Sequence, residues 1–264
     1  MVRRIGAKFD ELKAHGDKAF IPFVVAGDPD LETTIELIPE LERAGSHVIE
    51  LGIPFSDPVA DGPTIQRASS RALKHNYKLS DYLSAVETVR TKTDVPILLF
   101  SYFNPIYQHG LESLAQDARA AGVDGILVTD ITPEESGEYC ACMDQNEIDC
   151  IFLVAPTSGE ERIAAIAECS RGFVYVVSRT GVTGAQQQLS SEILPTVQCV
   201  RKHTALPVAV GFGISQPEQV EAIWKIADGA VVGSAIVAVM EDAENPKIIP
   251  SKVGEFCRWL VGAH

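Results

Sequence analysis

Eight short apolar runs of strand length alternate with segments of helical periodicity, and this alternation limits the fold more than any other feature of the chain. The runs are Ala19 to Ala26, His47 to Gly52, Pro96 to Phe100, Gly125 to Val128, Cys150 to Val154, Phe173 to Val177, Pro207 to Val210 and Ala230 to Val232. Strands separated by helices pair in parallel, and eight of them within 264 residues favour an α/β fold closed as a (β/α)8 TIM barrel over an open sheet. Ahead of them, Ile5, Phe9 and Leu12 lie at helical spacing, which predicts an extra N-terminal helix able to plug one end of the barrel. The stretch from Gly52 to Pro96 is too long for one crossover. It predicts a loop at Pro54 to Pro63 and two helices, roughly Ile65 to Lys74 and Ser80 to Thr91. Ser/Thr-x-x-Glu boxes at Thr132, Ser158 and Ser215 predict helix starts, and Ala44-Gly45 and Ala121-Gly122 predict helix ends. No repeat, low-complexity tract or linker breaks the pattern, so residues 1–264 read as a single domain.

Composition narrows the partners. A formal charge of −14 argues against nucleic acid or an anionic membrane as the main partner, while leaving room for a local phosphate site. The six cysteines are scattered over a core-sized chain without the density of a secreted disulfide scaffold, and free thiols are expected. Cys140 and Cys142, two apart on a predicted helix, point to different faces, and no metal is expected there. The first twenty residues lack the apolar stretch of a signal peptide, and no run has membrane-span length. A cytoplasmic protein is expected.

The chemistry gathers where barrel strands end. Glu50 interrupts an otherwise apolar strand, and the side-chain period of two sets Val48, Glu50 and Gly52 on one face and Ile49 and Leu51 on the other. A buried carboxylate is costly unless paired, and one at a strand end reads as functional ahead of a satisfied core acid. Asp61 follows in the loop. Alone it is ordinary turn chemistry, but two carboxylates in unlike environments have their pKa values pushed apart, which equips a site with a proton carrier and a fixed negative charge. Tyr175, in phase with Phe173 and Val177, faces the same interior, as a site member or as core filler. Residues 178–185, with Thr183 and Gly184, suit a lid. The turns Gly211-Phe212-Gly213 and Gly233-Ser234 point to a phosphate held by backbone N–H groups at a helix start. Asp57-Pro58 and Asp28-Pro29 read as loop-shaping, and Asp130 as either a loop brace or a pocket member. These residues by themselves imply a phosphorylated small molecule and proton transfer by Glu50, with the reaction type open.

The run Glu50-Leu51-Gly52-Ile53-Pro54-Phe55-Ser56-Asp57-Pro58-Val59-Ala60-Asp61-Gly62-Pro63-Thr64-Ile65-Gln66 resembles the signature of the tryptophan synthase alpha subunit family. The likeness extends through Pro22-Phe23, Ala26-Gly27-Asp28-Pro29, Tyr102 with Asn104-Pro105, Gly122 to Gly125, Ser178 to Gly184, Gly211 to Ser215 and Gly233 to Val237. It implies a lyase of tryptophan biosynthesis that cleaves indole-3-glycerol phosphate to indole and glyceraldehyde 3-phosphate by a reversible retro-aldol step. By resemblance, Glu50 is the general acid/base and Asp61 accepts the indole N–H. Phe23 and Phe212 lie against the indole, Tyr175 beside Glu50, and Thr183 on the lid within reach of Asp61, while Gly184, Gly213, Gly233 and Ser234 hold the phosphate. It also implies an α2β2 heterotetramer in which a beta subunit carries pyridoxal phosphate, with no cofactor and no metal in this chain. The loops at Pro54 to Asp61 and Asn104 to Tyr107 are expected to face that partner, and docking and lid closure to couple the subunits allosterically. Phe100 stands where a smaller Leu or Met is expected, and Thr129 and Thr132 where prolines are common. Two rivals share some features: another phosphosugar barrel, which would typically carry a catalytic Lys or Cys at a strand end, and a non-catalytic chain kept to activate a beta partner.

Overall fold

The structure is a computed structural model that describes residues 3–177, 186–211 and 213–262, with the side chains of 186–192 excepted. Its described strands are β1 (Ala19–Val25), β2 (Ile49–Gly52), β3 (Ile97–Ser101), β4 (Gly125–Val128), β5 (Asp149–Ile151), β6 (Leu153–Val154), β7 (Val174–Val177), β8 (Val208–Gly211) and β9 (Gly229–Val232). All pairings are parallel, in the order β5-β4-β3-β2-β1-β9-β8-β7-β6. β5 and β6 are two halves of the single run expected at Cys150 to Val154, broken at Phe152, so the two ends of the order are one continuous segment and the sheet comes round on itself. This is the expected (β/α)8 barrel.

The described helices are α1 (Arg4–His15), α2 (Leu31–Arg43), α3 (Pro63–Ala72), α4 (Leu79–Arg90), α5 (Phe103–His109), α6 (Leu111–Ala121), α7 (Gly137–Gln145), α8 (Glu160–Cys169), α9 (Gln186–His203), α10 (Pro217–Trp224), α11 (Ser234–Glu241) and α12 (Ile249–Val261). α3 and α4 fill the long gap after β2, as expected. The ends at Ala44-Gly45 and Ala121-Gly122 also hold: Gly45 and Gly122 have φ of 94° and 88°, a conformation that suits glycine and closes α2 and α6. The three predicted starts shift instead. α10 is boxed by Gln216 and Gln219, α8 is capped at Gly159, and the Thr132–Glu135 side-chain bond of 2.9 Å closes a turn ahead of α7.

Two apolar layers result. Outward-facing strand residues such as Val24, Leu51, Leu99 and Val210 pack against the helices. The barrel interior holds Ile21, Val48, Leu98, Leu127, Phe173, Tyr175 and Val231, and Ile5, Phe9 and Leu12 of α1 join this interior cluster. Phe9 and Phe173 ring centroids lie 5.6 Å apart, so α1 does plug the barrel, at the end where the strands begin. Acids at that end serve the scaffold. Asp124, just before β4, takes Arg4 at 2.9 Å and Arg90 at 2.5 Å, Asp149 takes Arg3 at 2.7 Å, and Asp228 takes Lys18 at 3.1 Å.

Candidate active site

Glu50, the second of the four residues of β2, is wholly buried, opposite Phe23 on β1 and Leu98 on β3. Val48 belongs to the barrel interior, and the two-residue period carries Glu50 to the same side. Among the described residues neither carboxylate oxygen of Glu50 has a hydrogen-bond partner, in contrast to the arginine- and lysine-paired acids at the far end. Burial alone pushes its pKa well above the ordinary 4.5. Tyr175 is nine-tenths buried on β7, and burial, with the field of Glu50 added, raises its phenol as well. It belongs to the interior cluster together with Phe173 and Val177, the phase read from the sequence.

The aromatic wall next to Glu50 is packed tightly. Phe23 and Phe100 meet edge to face with centroids 5.3 Å apart and planes at 79°. Phe100 thus occupies room that a Leu or Met would leave open. At the ends of β4, β6 and β7 a cavity of about 320 Å³ is lined by residues including Thr129, Thr132, Leu153 and Val177.

Asp61 is half-buried in the loop after β2, and burial raises its pKa while a hydrogen bond from Tyr102 pulls the other way. Tyr102 caps α5 just past β3. Its hydroxyl accepts the Ala60 N–H at 2.9 Å, its ring lies 5.0 Å from that of Phe55, and its own pKa is pushed up to about 12, chiefly by burial. One phenol thus holds the backbone of the loop and bears on the pKa of its acid. The sequence pattern assigned Tyr102 no role. Its signal was an aromatic at a strand end directly before Phe103-Asn104-Pro105.

Gly213 has φ of 69° in the turn after β8, and Gly233 directly precedes α11, which Ser234 opens. The first N–H groups of a helix are free for an anion. Asp130 proves to be a brace: its carboxylate accepts the Phe103 N–H at 2.6 Å and anchors the start of α5. Asp28 is likewise structural, clamped by Arg71 through two bonds of 2.8 Å. Residues Asn104 to Tyr107 form part of α5, where a loop was expected, and there Tyr107 is 64% exposed; Val59 in the Pro54 to Asp61 loop is 88% exposed. All six cysteines are free, as expected. Thr183, Gly184 and Phe212 lie outside the described residues.

A parallel barrel with a buried interior acid that has no partner among the described residues, a second acid in the loop after the same strand and a glycine-led helix start is the architecture of a (β/α)8 enzyme. The family model for "Tryptophan synthase alpha chain" matches residues 9–260. The chain belongs to the tryptophan synthase alpha chain family. A tryptophan synthase alpha chain from Geotalea daltonii is 52% identical over 245 residues, covering 93% of both chains. The solved tryptophan synthase alpha subunit of Legionella pneumophila superposes with a TM-score of 0.91 at 35% identity, over 100% of this chain and 98% of that one. A chain of the Pyrococcus furiosus tryptophan synthase α2β2 complex, described for its mutual activation, superposes at 0.87 with 37% identity, over 92% of this chain and 98% of that one.

Proposed function

We propose that Glu50 and Asp61 are the two catalytic carboxylates of this chain, and that the buried, unpartnered state of Glu50 is what fits it for the work. The chain is a carbon-carbon lyase of tryptophan biosynthesis: it cleaves indole-3-glycerol phosphate to indole and glyceraldehyde 3-phosphate and pairs with a beta subunit. The bond between the indole ring and the glycerol chain breaks once the ring carbon that bears the chain is protonated. Glu50, kept protonated by burial, donates that proton. Positive charge then spreads to the ring nitrogen, whose N–H Asp61 accepts as an ionised carboxylate. Glu50, now ionised, takes the proton of the adjacent glycerol hydroxyl. The C–O bond becomes a carbonyl, the C–C bond breaks, and its electron pair returns to the ring. Indole and the aldehyde leave, with Glu50 protonated again.

In this reading Phe23, Phe100 and Phe212 enclose the indole, and Tyr175 packs beside Glu50. Gly184, Gly213, Gly233 and Ser234 hold the phosphate, and Thr183 closes with the lid toward Asp61. The whole chain acts as one domain in the cytoplasm without a bound cofactor, pyridoxal phosphate belonging to the beta subunit. Exposed Val59 and Tyr107 suit the docking face. A substrate panel tests the reading: cleavage of indole-3-glycerol phosphate without added metal, and none of other phosphosugars, is the expected result. Absence of cleavage even with a beta subunit, together with acceleration of the beta reaction, would favour the non-catalytic rival.

A further inference from the structure

Outside the residues assigned to the reaction, α8 and α9 bring together three donors. Cys199 and His203 are four residues apart on α9, a spacing that sets both side chains on one face of the helix. Glu160, the first residue of α8, lies beside them. The Glu160 carboxylate, the Cys199 thiol and a His203 ring nitrogen all come within 4.8 Å of one another. Glu160 Oε1 and His203 Nε2 are already 3.2 Å apart.

We propose that Glu160, Cys199 and His203 form a binding site for a borderline-soft divalent cation of the zinc type, with a fourth position left to solvent. A tetrahedral zinc with ordinary bonds to nitrogen, oxygen and sulfur sets its ligand atoms roughly 3.3 to 3.8 Å apart. The histidine and glutamate atoms nearly meet that spacing, and rotation of the cysteine side chain brings the third donor in. An ion pair would engage only Glu160 and His203; the nearby Cys199 thiol adds the soft donor that distinguishes zinc from calcium or magnesium. Binding deprotonates the thiol, releases a proton, and clips the start of α8 to the last turn of α9. The site is structural in kind and separate from Glu50.

Cobalt(II) is the probe. The full-length chain, stripped with chelator and titrated with cobalt(II) chloride, should bind one equivalent and develop a thiolate-to-cobalt charge-transfer band in the near ultraviolet, which zinc chloride then removes. Cys199→Ser should abolish the band. His203→Ala should weaken binding more than roughly tenfold, since loss of an outer-shell partner alone costs that much. Zinc, but not magnesium, should raise the melting temperature of the wild-type chain, which keeps the proposal testable if a variant folds poorly. Absence of saturable cobalt binding in the wild type, or an undiminished band in Cys199→Ser carried by another of the cysteines, would overturn it.

Discussion

The ring of Phe23 on β1 lies over Gly52 on β2 so closely that a methyl group on Gly52 would stand 2.6 Å from Phe23 Cζ. Glycine is needed here for space, since the residue two before it is Glu50 and Phe23 is the direct ladder partner of that acid. Gly52→Ala is expected to cost about 1–3 kcal/mol through overpacking. It should also lower kcat/KM by tilting the aromatic wall beside the carboxyl. Phe23→Leu in the same chain should recover part of the stability but not the activity. Urea unfolding and steady-state kinetics of the single and double variants check both statements.

Tyr102→Phe removes the acceptor of the Ala60 N–H and the hydroxyl that lowers the pKa of Asp61, while keeping the ring against Phe55. Loss of the bond to the Ala60 N–H should destabilise the chain by about 1–3 kcal/mol. Since the Tyr102 hydrogen bond lowers the pKa of Asp61, its loss should shift the acidic limb of the rate profile to higher pH. A purely structural role would leave that limb in place.

The two acids set a working window. In the proposed mechanism Asp61 acts ionised and Glu50 starts the cycle protonated; burial raises the pKa of Asp61 from 3.8 and that of Glu50 well above 4.5. The profile of kcat/KM should therefore be bell-shaped, rising as Asp61 ionises and falling at higher pH as Glu50 loses its proton. A rate that keeps climbing with pH, without an alkaline limb, would reverse the starting state assigned to Glu50.

Glu50 should cost the fold stability at neutral pH. Below its unfolded value of 4.5 the carboxyl is protonated in both states and its favourable contribution is fully present. As pH rises the unfolded chain ionises freely while the buried group resists, and that contribution is lost progressively up to the raised folded pKa. Glu50→Gln, which cannot ionise, should melt higher than wild type at pH 7 and by a smaller margin at pH 4. Scanning calorimetry at the two pH values decides it.

The barrel was legible because each β/α unit repeats one pattern, and α1 because Ile5, Phe9 and Leu12 share a face. Glu50 was legible because a carboxylate inside an apolar strand is too costly to bury without a use. Tyr102 was not: its hold on Ala60 spans 42 residues of sequence and exists only once β2 and β3 are side by side. The break at Phe152 lies inside an unbroken apolar run, and α5, at 7 residues, is too short to show a period. The helix starts slipped because the Thr132 and Ser158 side chains satisfy local turns outside the helices.

Turnover of indole-3-glycerol phosphate by the wild-type chain, Glu50→Gln and Asp61→Asn, each alone and with a beta subunit, tests the central claim most directly. Both variants should fold and still bind the substrate, yet lose roughly 100- to 10,000-fold in kcat, the worth of a positioned acid or base. The wild-type chain should cleave slowly alone and faster in the complex. Wild-type-like turnover in Glu50→Gln would contradict the assignment and return that buried carboxyl to the scaffold.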